Sequence, residues 1–322
     1  MKKPPASNPL FSVLVVTWNG RHLLGDCLES LRAQTLRDFE VVLVDNGSND
    51  GSLEFVVEHY PEVRTVVLED NRGFAGGNNA GLEHAQGLRV ALLNNDAVAD
   101  PAWLQELDRG LRENPQYHFI ASRVVLSDRP ELLDSAGDGM AIVGAAFKRG
   151  HLRPAARFDQ AGEIFGASGA AACYRKSMLE DIGFFDERFF CLYEDADLSF
   201  RARLCGYRCL YWPAAVVSHR VNSTLGTRSR QSVFWGQRNL ELLYHKNMPA
   251  ELRHKYRWSR RAFHLASAAY FLLRGRAGVY WEAKKAARRM IAEIQPVVAR
   301  VPIERIDAHL ERRWVRTRLR GK

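Results

Sequence analysis

The chain has 322 residues, 46% apolar and 26% charged, the balance of an ordinary globular protein with enough length for a sizeable core. That composition excludes wholesale disorder, collagen and a coiled-coil rod. The net charge of +9 is unevenly placed: residues 1–244 carry 26 Lys/Arg against 31 Asp/Glu, whereas residues 245–322 carry 20 against 6. The basic character belongs to the tail and suggests an anionic partner there, nucleic acid or an anionic lipid surface.

The first half alternates strand and helix patterns. Phe11–Thr17 (FSVLVVT) is a short β-branched run and reads as a buried strand. Leu24, Cys27, Leu28 and Leu31 recur at helical spacing, and residues 39–44 (FEVVLV) form a second strand. The turn chemistry of Ser48-Asn-Asp-Gly then opens a short helix with Leu53, Val56, Val57 and Tyr60. Residues 63–68 read as a third strand, 77–85 as a small-residue helix, and 89–93 as a fourth strand. Pro101 precedes a helix containing Trp103, Leu104, Leu107 and Leu111. Such alternation means βαβ units and a mostly parallel α/β sheet. Beyond it, 119–126 and 170–174 look like strands, 195–205 like a helix, 207–212 and 216–218 like two short strands, and everything from Phe234 like basic helix.

Five cysteines show no C-x-x-C spacing, which fits a reducing compartment. The N-terminal MKKPPASNPL lacks the apolar region of a secretion signal. The apolar run 262–273 (AFHLASAAYFLL) is twelve residues long, short of the about 20 that span a bilayer. The expected location is cytoplasmic, with peripheral attachment to the inner face of the cell membrane as an option.

Ligands of parallel sheets bind beyond the carboxyl ends of the strands. Those ends here are Thr17-Trp18-Asn19, Asp45-Asn46-Gly47-Ser48, residues 71–79 (NRGFAGGNN) and Asn94-Asn95-Asp96. A structural connection needs one cap and at most one glycine, so four polar or glycine-rich ends in a row favour a site. Asp45 reads either as an acceptor for a ribose hydroxyl or base N–H, or as a turn residue capping the next helix. The spacing G-x-x-G-G within 71–79 is not the dinucleotide fingerprint, and it follows the third strand rather than the first, which argues against hydride transfer. Asp96 is placed to hold Mg²⁺ or Mn²⁺ beside a nucleotide, or else to form an Asx turn before Pro101. Glu194-Asp195-Ala196-Asp197 after an aromatic run is either helix capping or a general base set among aromatics. His219 is either a metal ligand or a satisfied core histidine.

Taken in order, VVTWN, VDNGSNDGS, NRGFAGGNNAG, LLNNDA, the block GASGAAACYRKSMLEDIGFFDERFFCLYEDADLSFRARLCGYR, and AAVVSH resemble the family 2 inverting glycosyltransferases of GT-A fold, especially their bacterial rhamnosyltransferase-like branch. The resemblance runs from about Ser12 to about Asn247. It implies a nucleotide pocket lined by Thr17, Asn19, Asp45, Arg72, Asn78, Asn79 and Asn95. It implies Mg²⁺ or Mn²⁺ at Asp96 and His219, with Asn94 replacing the first aspartate of the usual D-x-D. Asp195 matches the catalytic base, with Glu194 beside it. The implied reaction is inverting transfer from a nucleotide sugar, dTDP-L-rhamnose first and a UDP-sugar second, to a glycan or polyprenyl-linked acceptor in cell-surface polysaccharide synthesis.

The expected organisation is a catalytic domain over 1–245 and a basic helical extension over 246–322. In that extension basic residues stand beside aromatics between Arg253 and Arg289. The mixture suits an anionic membrane surface or a helical appendage packed on the catalytic domain. It would also suit RNA, but the acidic N-terminal portion and the lack of a recognisable RNA-binding motif argue against nucleic acid. From a different class, a degenerate nucleotide-sugar- or membrane-binding protein is the alternative; the intact Asp96 and Asp195 argue against it.

Overall fold

The structure, a computed structural model, describes residues 8–220 and 229–312. The first seven residues and the basic residues from Arg313 onward lie outside that description, as does the bearing of the N-terminal stretch on targeting.

The chain begins β1 (Phe11–Thr17), α1 (Arg21–Arg32), β2 (Phe39–Asp45), α2 (Ser52–His59), β3 (Arg64–Val67), α3 (Gly73–His84) and β4 (Arg89–Leu93). β5 (Ala97–Ala99), α4 (Trp103–Glu113), β6 (Phe119–Leu126), β7 (Leu133–Ser135), β8 (Asp138–Ala141), β9 (Ala146–Lys148) and β10 (Gly162–Ile164) follow. Then come β11 (Ala171–Arg175), α5 (Lys176–Ile182), α6 (Glu194–Leu204) and β12 (Cys209–His219). The chain ends in α7 (Arg230–Asn247), α8 (Ala250–Lys255), α9 (Arg257–Leu273), α10 (Ala277–Ile291), α11 (Ile303–Ala308) and β13 (Leu310–Glu311).

The main sheet runs β10-β12-β6-β11-β4-β1-β2-β3, with β5 on β12 and β7 on β6. β3, β2, β1 and β4 are mutually parallel, and β6 pairs parallel with β12, while β11 is antiparallel to both β4 and β6. Strand alternation supplies the two layers. Phe11, Val13 and Val15 of β1 pack with Leu24, Leu28 and Leu31 of α1 and with Trp103, Leu107 and Leu111 of α4. Leu14 of the same strand joins the opposite face with Ala75 of α3, Met178 and Leu179 of α5, and Leu198 and Ala202 of α6.

Three expectations need adjusting. The small-residue helix α3 begins at Gly73, one turn before 77. The two short strands expected over 207–218 are one strand, β12, whose register against β6 shifts between Trp212 and Val216. Pro213 interrupts the apolar run in the sequence, and a proline cannot donate to the ladder. The boundary at 245/246 lies inside α7. Beyond it, Leu252, Phe263, Ile294, Ile306 and Leu310 share one apolar cluster with Met140, Val143, Phe200, Leu204 and Leu243. β13 even pairs with β8, Leu310 opposite Met140. Among the described residues the basic helices therefore complete the core of the catalytic part.

Charge pins these helices as well as apolar packing. Glu241 of α7 is buried and bonds Arg260 Nη2 of α9 at 2.7 Å and Lys284 Nζ of α10 at 2.5 Å. Burial opposes ionisation of Glu241, but the two cations outweigh it and hold its pKa at about 2. Removing one partner of a buried ion group strands the others. Glu241→Ala is expected to cost about 3–5 kcal/mol, read as a lowered melting temperature in thermal denaturation.

Candidate functional site

Backbone pairing assembles the site. Thr17 and Asp45 end adjacent strands in direct register, and Asn46 N–H donates to the Thr17 carbonyl at 2.9 Å. The following loops are laced together: Asn19 N–H donates to Ser48 Oγ, and Asn19 Oδ1 accepts from Asn49 N–H, both at 2.9 Å. Asn19 adopts φ 50°, in the left-handed region that asparagine tolerates best among larger residues. Asn95 Nδ2 donates to Thr17 Oγ1 at 3.0 Å, and Gly20 is glycine because a Cβ there would lie 2.4 Å from the Asn95 amide. Asp45 is buried at this rim, with Oδ1 accepting from Ser48 N–H. Thr17, Asn19, Asp45 and Asn95 thus share one rim.

Arg72, Asn78 and Asn79 lie alongside with protein partners of their own. Arg72 pairs with Glu187 at 2.8 Å. Asn78 Nδ2 donates to the Phe74 carbonyl, and Asn79 bonds both the N–H and the carbonyl of Phe185. The two asparagines tie α3 internally and to the aromatic segment before α6.

A second group gathers at the end of β4. β5 runs antiparallel to β12, with His219 opposite Ala97, and Arg220 N–H donates to the Asp96 carbonyl. His219 Nε2 therefore sits 3.0 Å from Asp96 Oδ1 and 3.3 Å from the Asn94 amide nitrogen. His219 Nδ1 is 2.9 Å from Oδ2 of Asp134, which is fully buried and also takes Lys148 Nζ at 2.7 and 2.8 Å. Burial lowers the His219 pKa, but the carboxylates of Asp134 and Asp96 beside the ring more than compensate and push it up to about 9. Burial likewise opposes ionisation of Asp134, yet His151, His219 and Lys148 hold its carboxyl well below the usual range.

The residues fit a divalent cation. Asp96 Oδ1 is buried and accepts no hydrogen bond of acceptable geometry. His219 Nε2 lies 3.0 Å from it, so the two atoms would hold one divalent ion between them. Asp134 behind the imidazole is the usual outer carboxylate that fixes a ligating histidine. No group of three or more His, Cys, Asp or Glu ligands occurs among the described residues; an ion held by Asp96 and His219 would take the rest of its shell from water and substrate oxygens.

Between these groups and α6 lies 166–170. Ala170 accepts at its carbonyl from Asn94 N–H at 3.0 Å, and Gly169 N–H donates to Asp195 Oδ2 at 2.9 Å. Asp195 Oδ1 accepts from Ala196 N–H. Two consecutive residues thus touch the Asp96 strand end and Asp195. Burial raises the Asp195 pKa above the ordinary carboxylate range, against the lowering effect of those two N–H groups. Burial and the charge of Asp195 raise Glu194 further, and Glu194 Oε2 is buried without a hydrogen bond. Asp138 is raised by burial and by Asp195. The segment leading into α6 is strained, with φ of 61°, 72° and 73° at Phe190, Leu192 and Tyr193. Asn239 Nδ2 holds it by donating to the carbonyls of Phe189, Cys191 and Leu192.

Asp134, Asp138 and Lys148 carry much of this arrangement and were not singled out from the sequence; Asn239, read there as a border of the acceptor, instead holds the segment before α6. The available signal for the first two was LLDSAGDG, carboxylates among apolar and small residues.

The sequence profile described as "Glycosyl transferase family 2" matches residues 12–183. The chain belongs to this family. A poly-beta-1,6-N-acetyl-D-glucosamine synthase of Staphylococcus epidermidis is 26% identical over 236 residues, covering 72% of this chain and 55% of that protein. The chain thus spans about half the length of the curated relatives it matches. Solved structures share the GT-A fold. S. aureus TarS 1–349 in complex with UDP gives a TM-score of 0.52 at 20% identity, covering 75% of this chain and 67% of that one. The mannosyltransferase PcManGT of Pyrobaculum calidifontis, in complex with GDP-Man and Mn²⁺, gives 0.53 at 21% identity, covering 90% and 88%.

Asp134→Asn removes the charge behind His219 while keeping the shape. Outer-sphere carboxylates are worth about 10–100-fold in metal affinity. Mn²⁺ titration followed by electron paramagnetic resonance should show weakening of that order, with the fold retained.

Proposed function

We propose that this family 2 chain transfers a sugar from a nucleotide donor to an acceptor hydroxyl, inverting the anomeric centre. The observation that carries the reading is the bridge of Gly169 and Ala170, which joins Asn94, two residues before Asp96, to Asp195. One end suits the leaving diphosphate and the other the attacking oxygen. Asp195 takes the proton of the acceptor hydroxyl as that oxygen bonds to the anomeric carbon from the face opposite the diphosphate. The old carbon–oxygen bond breaks, and its electrons leave with the nucleoside diphosphate. A single displacement needs one base and no covalent nucleophile, unlike the paired carboxylates of a retaining hydrolase.

Thr17, Asn19, Asp45 and Asn95 form the rim that receives the nucleoside, with Arg72, Asn78 and Asn79 shaping its far wall. Asp96 and His219 hold Mg²⁺ or Mn²⁺, whose role when bound is to neutralise charge on the departing diphosphate. Burial and the neighbouring charge of Asp195 push the Glu194 carboxyl well above the ordinary range, which suits it to a supporting role beside Asp195 rather than to that of a second base. The ordered motifs favour dTDP-L-rhamnose as donor; the UDP complex of the similarly folded TarS favours a UDP-sugar as the second reading. The acceptor is a polyprenyl-linked or growing surface glycan, reached from the inner face of the cell membrane.

Asp195→Asn should lower turnover by about 10²–10⁴-fold, the usual worth of a positioned base, with donor affinity unchanged by calorimetry. Near-normal turnover contradicts the base assignment. Because Asp195 acts deprotonated and its pKa is raised, wild-type kcat should fall as pH drops through a value above the ordinary carboxylate range. The acid limb of the kcat–pH profile checks this.

A further inference from the structure

The tail's aromatic and basic residues divide sharply once their surroundings are known. Arg260, Lys284, Phe263, Phe271 and Tyr280 are buried against the rest of the protein. What remains outward on α9 is unusual. Trp258, Ala262, Leu265, Ala269 and Leu272 follow spacings of four and three along one exposed face, with Ala266 and Leu273 beside them. A surface helix normally turns its polar side to water. Here Leu265 is 74% exposed, Leu272 67% and Leu273 86%. The face carries cations at its edge and ends: Arg257 and Arg261 flank Trp258, and Arg274 and Arg276 follow Leu273. No acidic residue occurs between Glu251 and Glu282.

We propose that the outward face of α9 docks on an anionic lipid surface, its leucines and Trp258 entering the headgroup–acyl boundary while the flanking arginines meet lipid phosphates. The inference deepens the reading that the chain works at a membrane, and rests on it, but it does not depend on the transfer chemistry. Charge complementarity selects the occupant. A second copy would bring this face against itself, arginine edge near arginine edge, with no acidic residue on α9 to offset them. An anionic bilayer offers apolar depth and negative charge together. No helix among the described residues is long and apolar enough to cross a membrane, so the contact is one of lying on the surface.

Sedimentation with vesicles of phosphatidylglycerol and phosphatidylcholine, against phosphatidylcholine alone, tests this on the full chain. Binding is expected on the anionic vesicles and should weaken with salt. Leu265→Ser/Leu272→Ser/Leu273→Ser should lose about a hundredfold in partitioning. Arg257→Gln/Arg261→Gln should lose about tenfold on anionic vesicles only. These side chains are exposed, so melting temperature and nucleotide affinity should stay at wild-type values; a failure of the transferase reading appears in the nucleotide titration and not in sedimentation. Absence of binding to anionic vesicles at low salt overturns the proposal. So does wild-type binding by the triple-serine variant, or a wild-type dimer that the variant dissociates.

Discussion

The site depends on one strand running against its neighbours. β11 is inserted antiparallel between β4 and β6, so Ala171 lies beside Leu93 at the carboxyl end of β4. The chain entering β11 must therefore pass over the ligand end of the sheet, and the passage is 166–170. Were β11 parallel, that segment would lie at the opposite edge. Its small residues follow from the close approach: a Cβ on Gly166 would lie 2.4 Å from the Ser199 side chain, and one on Gly169 3.1 Å from Phe74. From this segment Asp195 receives one of its backbone hydrogen bonds, and through it α6 is registered against the end of β4.

A second theme is the distribution of buried charge. Asp134, Asp138 and Glu194 are buried and Asp195 is half-buried near them; Lys148 pairs with Asp134 and also favours ionisation of Asp138 and Asp195. Asp134 is compensated by His151, His219 and Lys148, which favour its ionised form. Asp138 and Glu194 are not compensated and are pushed toward the neutral form. The arrangement leaves Asp195 with a raised pKa and Asp96 Oδ1 without a hydrogen bond. Both are configurations that the proposed substrate hydroxyl and cation would relieve.

Much of this was legible in the sequence because it rests on local pattern. β1, β2 and β4 are short apolar runs whose polar ends are adjacent in the chain, and the helical spacing around Leu198 places Asp195 in the first turn of α6. The unread parts depend on distant pairing. Asp134 acquires its role from His219, 85 residues away, and nothing local distinguishes it from a loop carboxylate. β7, β8, β9 and β10 have three or four residues each, too few for alternation to show. The tail looked uniformly basic and aromatic because the sequence does not tell Arg260, held by Glu241, from Arg261, which faces outward.

The central claim is that the strand ends and the Asp96–His219 pair together bind a nucleoside diphosphate with a divalent cation. The most direct test is calorimetric titration with UDP and dTDP, with and without Mn²⁺, on the wild type and Asp96→Asn. The account predicts saturable binding that requires Mn²⁺ in the wild type and is lost in the variant. Binding of equal strength without metal in both proteins, or no binding of either nucleotide, would contradict it.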